Sequence, residues 1–207
     1  MTHESIGRVR GLNVSRETLE RLKQFEALVL KWNPKINLIA KSTVSSIWER
    51  HVLDSMQVFD CAKHGAHWVD LGSGGGFPGI VIGILAQENA CDMRVTLIES
   101  DQRKATFLRT AIRETGIEGE VISRRIEETD PQNADILSAR ALTNLSGLLN
   151  FCDRHLVSGG LALFPKGVTW EKEVKEARRD WSFQVEPVPS LTDPEAVILK
   201  IEGVSRV

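Results

Sequence analysis

Apolar side chains follow two rhythms along this chain. Between residues 15 and 33, Leu19, Leu22, Phe25, Leu28, Val29 and Trp32 recur at spacings of three and four, the stripe of an amphipathic helix. Ser15 is placed to cap its start and Pro34 to close it. A second stripe of Ile47, Trp48, His51, Val52, Ser55, Met56 and Phe59 predicts a helix from about 45 to 62. Two such helices before any strand predict a helical N-terminal extension over residues 1–65, whose apolar faces must be covered by each other or by the domain that follows.

From His67 the rhythm changes to short apolar runs alternating with helical stretches. Strands are predicted at 68–71, 95–99, 120–122, 135–138 and 161–164, and helices at 78–87, 102–115, 144–156 and 170–179. This alternation predicts an α/β fold with a parallel sheet covered on both faces. Two further strands, 181–185 and 196–201, are joined by a proline-bearing loop and predict a hairpin closing one sheet edge, so that 66–207 forms one compact seven-stranded unit.

Composition narrows the class without deciding it. The chain of 207 residues is 42% hydrophobic and 26% charged, which excludes a disordered, collagenous or disulfide-dense protein. Lys and Arg total 26 against 28 Asp and Glu, so a strongly basic nucleic-acid binder is excluded for the whole chain but a local basic face is not. Cys61, Cys91 and Cys152 form neither a CxxC pair nor a cluster with histidine, which predicts no disulfide framework and no metal site. Residues 1–5 carry no apolar signal region, and no run approaches the roughly 18 apolar residues of a membrane span, so a cytoplasmic location away from membranes is expected.

The candidate chemistry begins at Asp70. Four glycines, Gly72, Gly74, Gly75 and Gly76, follow the first strand of the sheet, then Phe77, Pro78 and Gly79. A P-loop fails because Phe77 stands where its second glycine belongs. The dinucleotide pattern GxGxxG is met by Gly74, Gly76 and Gly79, and the pattern DxGxGxG of S-adenosylmethionine-dependent methyltransferases by Asp70, Gly72, Gly74 and Gly76. Glu99 ends the next strand, where a carboxylate meets the ribose hydroxyls of an adenosine ligand. Both NAD and S-adenosylmethionine need that carboxylate, so the loop and Glu99 alone leave the two open. A dehydrogenase would lack an evident second domain after residue 150, and a binding module that had lost catalysis would not need the loop, Glu99 and Arg140 together.

Six blocks then make the sequence resemble one family. They are residues 32–38 (Trp-Asn-Pro-Lys-Ile-Asn-Leu), 49–55 (Glu-Arg-His-Val-Leu-Asp-Ser), 70–79, 99–109, 138–141 (Ser-Ala-Arg-Ala) and 164–167 (Phe-Pro-Lys-Gly). In this order they resemble the RsmG family, also called glucose-inhibited division protein B. The chain departs from its pattern at Ile39, where threonine is usual, and at Pro165, where a small or apolar residue is usual.

The resemblance implies a class I S-adenosylmethionine-dependent methyltransferase of Rossmann-like fold, a seven-stranded mostly parallel sheet with a helical N-terminal extension. It implies methyl transfer from S-adenosyl-L-methionine to N7 of one guanine in 16S ribosomal RNA, with the small ribosomal subunit as partner and no metal. It places the cofactor against Gly72, Ser73, Gly74, Phe77, Glu99, Ile126, Glu127 and Arg140, and gives Arg140 and Lys166 catalytic roles. The placement of basic residues, rather than the resemblance, gives the RNA candidates Lys35, Lys41, Arg50, Arg125 and Lys166: Lys31, Lys35 and Lys41 with Arg50, Arg140 and Lys166 could form a positive rim along a phosphate backbone, and Arg125 could approach phosphate or the methionyl carboxylate.

His51 invites an acid/base role but lies on the apolar side of its helix, where a packed, hydrogen-bonded histidine is the better reading, with Glu49, Arg50 and Asp54 tying the extension to the catalytic domain near the cofactor mouth. The chain has neither the Asn/Asp-Pro-Pro-aromatic motif of amino-directed methyltransferases nor the Pro-Cys nucleophile of C5-directed ones. Guanine N7 needs neither, since its lone pair is free in the neutral base, and positioning then carries the catalysis.

Overall fold

The computed structural model describes residues 8–9, 12–62, 65–88 and 92–207; residues 1–5 and Cys91, read above, lie outside these. A short antiparallel pair, β1 (Arg8–Val9) with β2 (Leu12–Asn13), precedes helix α1 (Arg16–Ile36). Ser15 caps α1 as expected, its hydroxyl accepting from Thr18 N at 3.1 Å. Pro34 does not close the helix. It lies in the last turn, and the helix ends instead at Asn37 in the left-handed region (φ 49°), whose N–H bonds the Asn33 carbonyl. The Asn33 side chain then accepts from Leu38 N (2.8 Å) and Ile39 N (2.9 Å), satisfying donors that the turning chain would otherwise bury unpaired.

The second expected helix is three pieces rather than one. A 3-10 stretch (Lys41–Ser46) runs into a π-helical turn (Trp48–Leu53) and then α2 (Asp54–Asp60). Side chains add bonds to carbonyls of the widened turn: Ser55 Oγ donates to the His51 carbonyl (2.6 Å), which also accepts from Asp54 N, and Arg140 reaches the Arg50 carbonyl (3.3 Å).

The sheet contains β3 (His67–Leu71), β4 (Arg94–Ile98), β5 (Gly119–Ile122), β6 (Ala134–Ala139), β7 (Leu156–Lys166), β8 (Trp181–Pro189) and β9 (Val197–Arg206). Its order is β5-β4-β3-β6-β7-β9-β8, parallel through β7 and antiparallel for the closing hairpin. Helices α3 (Gly79–Glu88), α4 (Gln102–Thr115), α5 (Leu145–His155) and α6 (Trp170–Ala177) lie between the strands. The chain starts in β3, builds outward through β4 and β5, then returns to the other side of β3 with β6. A crevice therefore opens at the carboxyl ends of β3 and β6, where Leu71 pairs with Ala139.

The core is two apolar clusters. One joins the extension to the α/β unit: Leu22, Phe25 and Val29 of α1 bury their side chains with Phe77, Ile80 and Phe107. The Phe25 ring lies 5.0 Å from that of Phe77 and 6.4 Å from that of Phe107, and Trp32 meets Phe107 edge-on at 5.7 Å. The other cluster packs α5 and the hairpin on the opposite face, around Leu71, Leu149, Phe164 and Trp181. At the far end of the extension Gln57 holds the hairpin loop, donating to the Pro189 carbonyl (2.7 Å) and accepting from Leu191 N (2.9 Å).

Because Phe25 is fully buried between α1 and the loop after β3, Phe25→Ala is expected to lower unfolding stability by about 3–5 kcal/mol. Urea titration of the two proteins checks this; a loss below about 1 kcal/mol would mean that α1 is not part of the core.

Candidate active site

The loop after β3 is built on three glycines with positive φ, Gly72, Gly74 and Gly76. At Gly76, with φ at 83°, a Cβ would also stand 2.9 Å from the Phe25 ring, so both backbone and packing demand glycine. Gly79 is needed for a different reason: a Cβ there would lie 2.3 Å from Leu97 and 2.8 Å from Asp70 Oδ2. Ser73 N bonds the Ile98 carbonyl (3.1 Å) and Ser73 Oγ the Asp70 carbonyl (2.9 Å), fixing the loop to the ends of two strands. Pro78 precedes α3 rather than opening it, across a cis peptide bond.

Glu99 is buried directly beside this loop. One carboxylate oxygen accepts from Gly74 N (2.9 Å) and the other from Asp101 N (2.8 Å), so the side chain joins the glycine loop to the start of α4. Asp70 lies beneath, wholly buried, with Oδ1 accepting from Ser138 Oγ (2.7 Å), which in turn accepts from Trp68 Nε1 (2.9 Å). Its Oδ2 has no side-chain partner among the described residues and faces the Gly79 backbone, whose N–H also favours the charged form. Burial pushes the carboxyl up to about 6, against the pull of Ser138, Ser73 and Arg140.

Arg140 follows β6 and spans the crevice mouth. Its guanidinium carbon lies 5.5 Å from the centre of the Phe77 ring, and one nitrogen donates to the Arg50 carbonyl. Burial weakens its hold on its proton, while the carboxylates of Asp54 and Asp70 strengthen it. Most of its donor fork is left for an acceptor arriving at the mouth. His51 also packs on Phe77, with ring centres 5.1 Å apart, and its Nε2 lies 2.8 Å from Thr43 Oγ1. Burial, then Arg140 and Arg50, depress its pKa to about 3, so it is neutral throughout the physiological range. Asp54 bonds the Thr192 hydroxyl and Arg50 pairs with Asp193 at 3.0 Å, joining the extension to the β8–β9 loop beside the crevice.

The profile of the rRNA small subunit methyltransferase G family matches residues 18–198. A Ruegeria pomeroyi protein named "Ribosomal RNA small subunit methyltransferase G" is 59% identical over 95% of this chain and 96% of its own length. One of the same name from Cereibacter sphaeroides is 52% identical over the full length of both. The chain belongs to the rRNA small subunit methyltransferase G family. Its fold is that of class I methyltransferases: a TehB-like SAM-dependent methyltransferase from Corynebacterium glutamicum superposes with a TM-score of 0.56 at 14% identity, over 87% of this chain and 98% of that one. The nicotinamide alternative falls with this membership.

The structure brings Gly72, Ser73, Gly74, Phe77, Glu99 and Arg140 to one crevice. Ile126 is buried in a 3-10 turn between β5 and β6, with Glu127 exposed beside it. Lys35, Lys41 and Arg125 are exposed, as a phosphate contact requires. Lys166 is placed otherwise: its ammonium pairs with Glu173 at 2.8 Å and donates to the Thr143 carbonyl at 2.9 Å. Its side chain is only 10% exposed, and two of its three N–H donors are spent on Glu173 and on the 140–144 segment through Thr143. Sequence reasoning missed Leu142 of that segment, whose side chain covers Gly72, and Thr192, which faces Asp54. No periodicity marks either, because both act from loops.

The Asp70 carboxyl has a pH signature. Its pKa is about 6 in the fold against 3.8 when unconstrained, so its charge opposes folding above about pH 6, and that cost fades as pH falls toward 4. Between pH 7 and pH 4 wild type should therefore gain on the order of 2–3 kcal/mol of stability relative to Asp70→Asn. Denaturant midpoints of both proteins across this range check it, and parallel curves would show that Asp70 is not perturbed.

Proposed function

We propose that this chain transfers a methyl group from S-adenosylmethionine to N7 of a guanine in 16S ribosomal RNA, presented on the small ribosomal subunit in the cytoplasm. The observation that carries the reading is the convergence of the glycine loop, the buried Glu99 carboxylate and the under-bonded Arg140 fork at the switch point of the sheet of a family member.

The residues present fit such a cofactor. A Cβ at Gly74 would meet only the Gly72 carbonyl, at 3.7 Å, so the main chain there is open to close approach. Glu99 spends one lone pair of each oxygen on loop N–H groups and keeps the others for the two ribose hydroxyls. Gly72, Ser73 and Phe77 would line the methionyl side, and Ile126 and Glu127 the adenine. S-adenosylmethionine supplies an electrophilic methyl group on a sulfonium.

The protein's share is positioning and charge. N7 of guanine attacks without losing a proton, so no general base is required, and the neutral, buried His51 is not suited to be one. Arg140, over the Phe77 ring and within the field of Asp54 and Asp70, can donate to the guanine O6 or an adjacent phosphate and hold the base in line. Lys35, Lys41, Arg50 and Arg125 would steady the RNA backbone through phosphate contacts, while Lys166 acts through the 140–144 segment that it fixes. The direct test is methyl transfer to small subunits lacking the modification, with mapping of the modified base. Transfer to any other atom or base would overturn the reading.

Two variants probe the division of labour. Glu99→Ala should weaken S-adenosylhomocysteine by about 1.5–3 kcal/mol, roughly 10- to 150-fold by calorimetry, since it removes charge-assisted bonds to the ribose. At saturating cofactor, Arg140→Ala should lower the single-turnover rate by at least about tenfold, whereas His51→Gln should keep most of it. The pH profile from about 7 to 9 should be flat in wild type, with any fall below about 6 belonging to Asp70. A histidine-like inflection near neutrality that His51→Gln abolishes would show that a general base operates.

A further inference from the structure

Two consecutive residues at the end of α5 reach across to the turn between β5 and β6. His155 Nε2 lies 3.2 Å from the Ile126 carbonyl, and the Arg154 guanidinium donates twice to the Thr129 carbonyl, at 2.7 and 3.1 Å. The turn is also closed from within, Thr129 N bonding the same Ile126 carbonyl (3.2 Å) and Thr129 Oγ1 the Arg125 carbonyl (2.9 Å). Residues 126–129 are thus held at both ends by donors from one helix.

His155 is an expensive choice for its position. It is completely buried, burial lowers its pKa, and the imidazole is neutral. A carbonyl only accepts, so Nε2 carries the hydrogen and Nδ1 is a bare acceptor, which has no partner. A leucine would fill this apolar cluster without burying an unpaired nitrogen. What the imidazole adds is the bond to Ile126.

We propose that His155 and Arg154 are positioning residues for adenine recognition. By holding the Ile126 and Thr129 carbonyls from the α5 side, they set the peptide planes of the turn so that Ile126 and Glu127 meet the purine edge in register. A few tenths of an ångström matter to such contacts, and the supporting shell supplies that precision. The inference rests on the methyltransferase reading above, in which this turn faces the adenine of the cofactor.

The test measures binding of two probes to the full chain by calorimetry: S-adenosylhomocysteine, and S-inosylhomocysteine, whose purine bears a carbonyl in place of the amine. Wild type is expected to prefer the adenine ligand. His155→Leu and Arg154→Met should each weaken S-adenosylhomocysteine by at least about tenfold and the inosine analogue by less than about threefold, so that the preference collapses. At saturating cofactor the methyl-transfer rate should stay within about threefold of wild type. His155→Gln, whose amide nitrogen can reach the same carbonyl, should restore near wild-type affinity. An unchanged preference in both variants, or equal losses for both ligands, would overturn the proposal even if melting temperatures fall. Should His155→Leu fail to fold by circular dichroism, Arg154→Met, exposed at the helix end, decides alone. A wild type that binds both ligands equally overturns the inference only, whereas one that binds neither overturns the methyltransferase reading as well.

Discussion

A single buried carboxylate organises the crevice. Asp70 sits near the end of strand β3 and accepts from Ser138 on the neighbouring β6, which accepts in turn from the Trp68 indole, so three side chains link the strands at the boundary where the sheet changes direction. That boundary is the one place where two neighbouring strands lead into loops that diverge. The carboxylate also dictates the packing above it, since a side chain at Gly79 would collide with Oδ2, and its charge helps to keep Arg140 protonated at the mouth. Burying an acid is unfavourable, as its raised pKa shows, and the fold offsets it through the core clusters on either face.

The extension is part of this arrangement rather than an appendage to it. Phe25 packs on the glycine loop from one side while Arg50, His51 and Asp54 close the crevice from another. The π-helical turn is what lets one short segment do both, because it presents the Arg50 carbonyl to Arg140 while His51 still points into the core.

Much of this was legible in the amino-acid sequence where local signals sufficed. Helix α4 runs over the expected residues 102–115 because Asp101 caps its start through Arg103 and Lys104 N–H groups and Gly116 leaves it in a left-handed turn, both readable from residue type. The glycine loop and the existence of all seven sheet strands were legible too, but not every bound: β7 starts at Leu156, where helix was expected, and β8 and β9 run on to Pro189 and Arg206. The broken helix over 41–60 was not, because its register depends on Arg140, ninety residues away. Lys166 shows the same limit for charge: the residue is readable, but its partner Glu173 lies in the first turn of the next helix and converts a candidate phosphate contact into a brace. His155 is hidden by the apolar stripe that it completes, since periodicity reports burial and not the bond that a buried ring makes.

The order of the closing hairpin carries a consequence for biosynthesis. Strand β9 is translated after β8 yet lies inside it, paired on one side with β7 and on the other with β8. During vectorial synthesis the β8 strand emerges with no place on the sheet, and the hydrogen-bonding edge of β7 stays open until the strand between them has left the ribosome. The loop that carries Thr192 and Asp193 to the crevice joins these two strands. An rRNA methyltransferase built this way closes the β8–β9 wall of its crevice only after β9 has emerged to pair with β7.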